Sequence, residues 1–159
     1  MNGIKSRAEI ISLRKKFKDE KKKVVFTNGV FDILHSGHVD YLTKSKAFGD
    51  ILLVGINSDK SVKKIKGNKR PIINEKDRAF IISSLKPVDY VTLFDEDTPQ
   101  KLIEDIIPDV LIKGADWALD EIVGKDIVEK KGGKVQTIKF INDQSTSKII
   151  KSILDRYSD

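Results

Sequence analysis

The chain has 159 residues, 30 of them lysine or arginine against 24 aspartate or glutamate, a formal charge of +6 and no cysteine. That length suits one α/β domain with a real core and is short for two ordinary domains. The missing thiols exclude disulfides, thiolate zinc sites and cysteine nucleophiles. The first residues lead into a charged segment, and no apolar run approaches the roughly 20 residues of a membrane span, so the sequence predicts a cytoplasmic protein without a membrane partner.

Along the chain, Ser6 and Glu9 have capping-box spacing and predict a helix over 6–20. Residues 1–22 thus read as an N-terminal helical segment ahead of a main domain over 23–156. The run Lys21, Lys22 and Lys23 reads as solvated surface, not a nucleic-acid site. Five apolar-rich runs have strand length: Val24–Asn28, Ile51–Asn57, Tyr90–Phe94, Val110–Lys113 and Val135–Phe140. Segments of helical period cover 37–48, 75–85, 99–107, 121–131 and 146–156. Asn74 is suited to cap one of these helices and Pro99 to begin another. The stretch Lys60–Arg70 holds six basic residues and no acid, and reads as a basic loop ending at a Gly67-Asn68 turn.

Strands alternating with helices predict right-handed crossovers. The expected fold is a single-domain, Rossmann-like α/β structure: a parallel sheet of about five strands with helices on both faces. Ile51–Ile56 is apolar on both parities, as a strand covered on both faces should be. Ligands bind such sheets at the carboxyl ends of the strands, where strand order reverses. The segments to inspect are therefore 27–38, 57–59, 95–98, 113–117 and 142–147. The polar and glycine residues concentrate there.

The strongest chemical signal is Thr27-Asn28-Gly29-Val30-Phe31-Asp32-Ile33-Leu34-His35-Ser36-Gly37-His38, which follows the first strand and opens a helix. His35 and His38, the only two histidines, are three apart, so both imidazoles can reach one side of the helix. Gly37 lets a ligand approach the backbone, and the helix N-terminus adds N–H groups and partial positive charge. Together they make a cradle for phosphate oxygens, able to stabilise charge on a leaving pyrophosphate. Zinc is the other reading of paired histidines, disfavoured because only Asp32 stands near as a third ligand.

This run resembles the signature of the cytidylyltransferase-like nucleotidyltransferases. Asn57-Ser58-Asp59, Lys66-Gly67, Arg70-Pro71-Ile72, Arg78, Glu96-Asp97-Thr98-Pro99, Lys113-Gly114-Ala115-Asp116 and Ser145-Thr146-Ser147 follow in the family's order. Over about 23–155 the chain is similar to one branch, the adenylyltransferase domain of bacterial heptose kinase/adenylyltransferases. The resemblance implies transfer of AMP from ATP to D-glycero-D-manno-heptose 1-phosphate, giving ADP-heptose for lipopolysaccharide or other surface glycans. It implies Mg²⁺ held mainly by the nucleotide, with no protein metal site. It assigns catalysis to His35, His38 and Lys66. Thr27, Asn28, Gly29, Phe31, Gly37, Lys113, Gly114, Asp116, Ser145, Thr146 and Ser147 go to the nucleotide, and Asp32, Asn57, Asp59, Lys66 and Arg78 to the acceptor. For Asp116 a base or ribose contact and a plain turn role both stand, as do base stacking and pocket closure for Trp117. Ser145 can also simply cap the last helix.

The expected chemistry is direct in-line attack, because a sugar 1-phosphate already carries about −1.5 to −2 charge near pH 7 and needs no general base. The expected partners are ATP and a sugar 1-phosphate made by a separate kinase, since only 23 residues precede the first strand; a homodimer is allowed by the resemblance. Rival readings are a cytidylyltransferase making a CDP-polyol such as CDP-glycerol, a nucleotide-binding regulatory module without turnover, and a nucleic-acid-binding protein. The last lacks interleaved aromatics and any known binding module.

Overall fold

The computed structural model describes residues 3–141 and 144–158. Asn142 and Asp143, in the expected ligand-binding loop after the fifth strand, lie outside the described residues, as do Met1, Asn2 and Asp159. The strands are β1 (Val24–Gly29), β2 (Ile51–Asn57), β3 (Tyr90–Phe94), β4 (Val110–Gly114) and β5 (Lys134–Ile138). All pair in parallel in the order β3-β2-β1-β4-β5, so the chain reverses its direction of travel across the sheet between β3 and β4. The helices are α1 (Arg7–Asp19), α2 (Ser36–Lys46), α3 (Asp59–Lys66), α4 (Glu75–Ser83), α5 (Gln100–Ile106), α6 (Lys125–Lys130) and α7 (Thr146–Tyr157). No helix among the described residues is long and apolar enough to cross a membrane.

The two-residue period of the strands sorts their side chains into two cores. Val25, Leu52, Val54, Val110 and Ile112 pack with Tyr41 and Leu42 of α2 and Ala79 and Ile82 of α4. Val24, Phe26, Leu53 and Leu111 pack on the other face with Ile10 and Phe17 of α1 and Leu102, Ile103 and Ile106 of α5. Apolar residues on both parities therefore each find a core, as the unbroken run in β2 predicted. The capping box forms: Ser6 accepts from the Glu9 N–H, and the Glu9 carboxylate takes the Ser6 N–H.

The sequence reading missed α3, which occupies the first part of the expected basic loop. The residues carry an end-charge signal: Ser58 caps the helix, Asp59 stands in its first turn, and Lys63, Lys64 and Lys66 close it. Apolar periodicity is thin there because only Val62 and Ser61 are buried. Lys66 is thus the last residue of a helix, not a loop residue, and Gly67 beyond it takes the positive φ of 90° that ends the helix. The fifth strand stops at Ile138, short of the expected Phe140.

Candidate active site

β1 and β2 stay in register over six residues, from Val24 opposite Ile51 to Gly29 opposite Ile56. β1 and β4 pair only at Val25–Val110 and Phe26–Leu111 and then part. The gap opens at the carboxyl ends, at the point where strand order reverses, which is where a parallel sheet binds ligands. Asn28 and Lys113 stand on either side of the gap, and the Lys113 ammonium donates to Asn28 Oδ1. Burial pushes the Lys113 ammonium down to about 8, with Asp116 opposing that shift.

A cavity of about 430 Å³ lies over this gap. On the β4–β5 side its wall is Lys113, Gly114, Asp116, Trp117, Ile122, Val123 and Phe140; on the β2–β3 side it is Asn57, Ile65, Lys66, Asp97, Thr98 and Pro99. Asn28, Gly29, Val30, Phe31, His38 and Tyr41 line the middle. Gly114 lies so close to its neighbours that a Cβ there would stand 2.5 Å from Asp116 Oδ1 and 2.6 Å from the Phe140 ring.

Phe31 holds a left-handed conformation, φ 48°, rare for a bulky residue and costing about 1–2 kcal/mol. Its ring folds back over Gly29, where a Cβ would meet it at 2.9 Å, and packs edge-on against His38 at 5.2 Å between centroids. His38 in turn stacks on His35, centroids 3.8 Å apart. His35 is the N-cap residue of α2 and makes no side-chain cap. Burial lowers the His35 imidazole; burial, with the neighbouring His35, pushes His38 down to about 4. Both rings are therefore mainly neutral at pH 7. Each has its Nδ1 buried with no hydrogen-bond partner among the described residues, an uncommon state for buried polar atoms.

Of the residues singled out in the sequence, Asn28, Gly29, Phe31, His38, Asn57, Lys66, Lys113, Gly114 and Asp116 line the cavity, with His35 stacked behind His38 and Gly37 buried beside it. Four others serve the framework. Thr27 is fully buried and shares a hydrogen bond of 2.8 Å with the Tyr41 hydroxyl, so it faces the core and not a nucleotide. Asp32 is buried and accepts from Arg70 Nε at 2.6 Å and from the Ile72 and Ile73 N–H groups, both 2.9 Å from Oδ1, which replaces its expected acceptor role with a loop clamp. Arg78 is 0% exposed; it donates to Ile73 O, Val30 O and Asp59 Oδ1 at 2.9, 2.6 and 2.7 Å. A guanidinium spent on these partners is not presented to an acceptor phosphate. Asp59 is likewise committed to Arg78. Ser145 caps α7 by accepting from the Lys148 N–H, and Thr146 Oγ1 reaches Ile33 O at 3.4 Å, so Ser145, Thr146 and Ser147 sit beside the 33–35 turn and outside the cavity wall.

Sequence reasoning did not single out Tyr41, Ile65, Ile122, Val123 or Phe140. They are apolar or aromatic residues with no spacing signal that separates a pocket wall from ordinary core. Their place comes from which loops the strand order brings together.

A family model described as cytidylyltransferase-like matches residues 26–152. Among curated proteins, the chain is 55% identical over 136 residues to the "Bifunctional protein HldE" of Citrifermentans bemidjiense, covering 86% of this chain and 28% of that protein. It is 53% identical over 148 residues to the protein of the same name from Campylobacter curvus, covering 93% and 30%. The chain therefore spans less than a third of the length of these relatives. Among solved structures, the lipopolysaccharide core biosynthesis protein from Thermoplasma volcanium is 34% identical, with a TM-score of 0.61 and coverage of 77% of this chain and 99% of that one. A pantoate-β-alanine ligase from Francisella tularensis, at 15% identity and TM-score 0.60, shares the fold. With a parallel sheet that parts at β1 and β4, two histidines at the mouth of α2, and a family match over most of its length, the chain belongs to the cytidylyltransferase-like family.

Proposed function

We propose that the protein is an adenylyltransferase that moves AMP from ATP to a sugar 1-phosphate and releases pyrophosphate, with D-glycero-D-manno-heptose 1-phosphate as the preferred acceptor. The observation that carries the reading is the two-sided cavity at the strand reversal, with His38 in its middle and basic Lys66 and Lys113 on opposite walls. Trp117, Ile122, Val123 and Phe140 offer an apolar and aromatic surface suited to a base. Asn57, Asp97 and Thr98 on the other side offer hydrogen-bond partners suited to a phosphorylated polyol. The family match and the relatives named above support nucleotidyl transfer; the choice of ATP and of a heptose is the proposal.

In this reading an oxygen of the acceptor phosphate attacks the α-phosphorus of ATP. A new P–O bond forms to the acceptor, the α–β bridging P–O bond breaks, and its electron pair leaves on pyrophosphate. The acceptor oxygen is already ionised, so no side chain need remove a proton. His35 and His38 donate ring N–H groups to the outer phosphoryl oxygens. Neutral, stacked rings avoid mutual repulsion until the ligand arrives, and a triphosphate beside them favours their charged forms. Lys66 and Lys113 supply positive charge, and the low-dielectric gap strengthens both.

Among the described residues no three His, Asp or Glu side chains converge as a metal site, while Asp97 and Asp116 line the cavity. Asp97 and Asp116 would be the carboxylates nearest a Mg²⁺ ion carried on the nucleotide. When bound, such an ion screens the triphosphate charge.

The test is the initial rate of pyrophosphate release with ATP and with CTP, each against heptose 1-phosphate and glycerol 3-phosphate. The expected result is turnover with ATP and heptose 1-phosphate at least tenfold above every other pair. Preference for CTP with glycerol 3-phosphate would replace the reading by a cytidylyltransferase, and tight ATP binding with no release by a regulatory module.

A further inference from the structure

α1 lies before residues 26–152, the part matched by the family, yet one of its side chains reaches Glu96, the residue just ahead of the cavity-lining Asp97. Arg7 Nη1 donates to Glu96 Oε1 at 2.5 Å, and Arg7 Nε donates to Asp105 Oδ2 of α5 at 2.6 Å. Glu96 stands next to Asp97, Thr98 and Pro99, all of which line the cavity. The same turn is gripped from α3: Ser61 Oγ donates to the Glu96 carbonyl at 2.8 Å, and Lys64 pairs with Asp97 at 3.1 Å.

The start of α1 is itself pinned to the sheet. Lys5 N–H donates to Val91 O at 2.9 Å and Val91 N–H to Gly3 O at 2.8 Å, so the chain ahead of the helix runs parallel to β3. β3 is also the strand that leads into the Glu96 turn. Arg7 is thereby held in a frame shared with the turn it grips. Burial pushes the Glu96 carboxyl up, but the Arg7 hydrogen bond and charge, together with backbone N–H donors at 95 and 96, outweigh it and hold the group below its ordinary range. A partly buried ion pair adds little stability over apolar packing, while it fixes direction through a planar fork of donors.

We propose that Arg7 is a positioning residue for the acceptor: by holding Glu96 it fixes the turn that presents Asp97 and Thr98 to the sugar phosphate. The inference rests on the reading of the β2–β3 side of the cavity as the acceptor side. Arg7 touches no substrate and acts only through Glu96.

The experiment compares wild type with Arg7→Gln, Arg7→Lys, Glu96→Gln and Asp105→Asn in steady-state kinetics, and follows amide hydrogen exchange at Glu96, Asp97 and Thr98 in the same proteins. Arg7→Gln is expected to raise KM for the acceptor at least tenfold, with kcat and KM for ATP within twofold, and Arg7→Lys to recover part of that loss. Asp105→Asn removes the charge from the arm to α5 alone and leaves the Glu96 arm intact; it should lower the melting temperature and leave the acceptor KM unchanged. An Arg7→Gln enzyme whose two KM values rise together, or do not rise, overturns the proposal. Should Arg7→Gln fail to fold, Arg7→Lys and Glu96→Gln carry the same comparison. If wild type turns over no sugar phosphate, the functional reading fails while the exchange data still decide. Faster exchange at 96–98 in Arg7→Gln but not in Asp105→Asn supports the positioning role, and unchanged exchange removes it.

Discussion

Lys113 donates a hydrogen bond to Asn28 across the gap where β4 and β1 part, so one ammonium bridges the two strands that form the floor of the cavity. Burial has brought its pKa down to about 8. A phosphate ligand favours the charged form, and that form is lost as pH rises through 8. ATP affinity is therefore expected to fall above about pH 8 in wild type. Lys113→Met should bind about 10–100-fold more weakly at pH 7, the range for losing a charged hydrogen bond, and show no such fall. Calorimetric titration of ATP between pH 7 and 9.5 checks this; a parallel decline in both proteins would count against it.

His38 makes a prediction about stability. Its folded value of about 4 lies below the ordinary 6.5, so between these values the unfolded chain binds more protons. The contribution of neutral His38 is full above 6.5, declines as pH falls toward 4 and changes no further below. His35 acts in the same direction. The urea midpoint of wild type should drop across that window, and that of His38→Gln should drop less. Asp32 and Glu96, held low by their partners, act mostly below it.

His38→Ala should lower kcat by about 10²–10³, the usual cost of removing one donor that stabilises developing charge. Single-turnover pyrophosphate release with saturating ATP isolates this step. Wild-type turnover in that variant would remove the histidines from the mechanism.

Arg78 should behave as framework. Arg78→Met leaves Asp59 and two carbonyls without their donor, and an expected loss of about 3–5 kcal/mol follows from breaking a buried charged cluster. Equilibrium urea unfolding measures it. A variant as stable as wild type but weak in acceptor binding would restore the phosphate-binding role.

Gly114→Ala tests the closeness of the cavity wall. Its Cβ must displace Asp116 Oδ1 from 2.5 Å and the Phe140 ring from 2.6 Å. A stability loss of about 1–3 kcal/mol is expected from overpacking, together with weaker ATP binding. Unchanged melting temperature and ATP affinity would show that both side chains swing away freely.

The strands and most helices were readable because burial imposes periodicity on local sequence. Residues 24–26 and 52–54 had to be apolar on both parities to feed two cores. α3 escaped because it buries only one turn's worth of small side chains, and its signal lay in its capping and end charges. Of the cavity-lining residues, His38, Lys113 and Asp116 were legible as polar residues at or near the ends of strands, and Lys66 through the family resemblance. The internal partners of Arg78, Asp32 and Thr27 were not legible, for one reason. A charged or hydroxyl side chain in a site motif looks the same whether it faces a ligand or braces the loop behind it, and only burial and partners separate the two.

The residues of this chain, taken in order, determine a parallel α/β sheet and a histidine pair at a helix mouth, since both depend on spacing within a few residues. Which loops meet over the β1–β4 gap, which polar groups turn inward, and how Arg7 reaches Glu96 from 89 positions away were decided by the packed structure. Those relations join residues distant in sequence, and strand order and burial bring them together where no local pattern records the meeting.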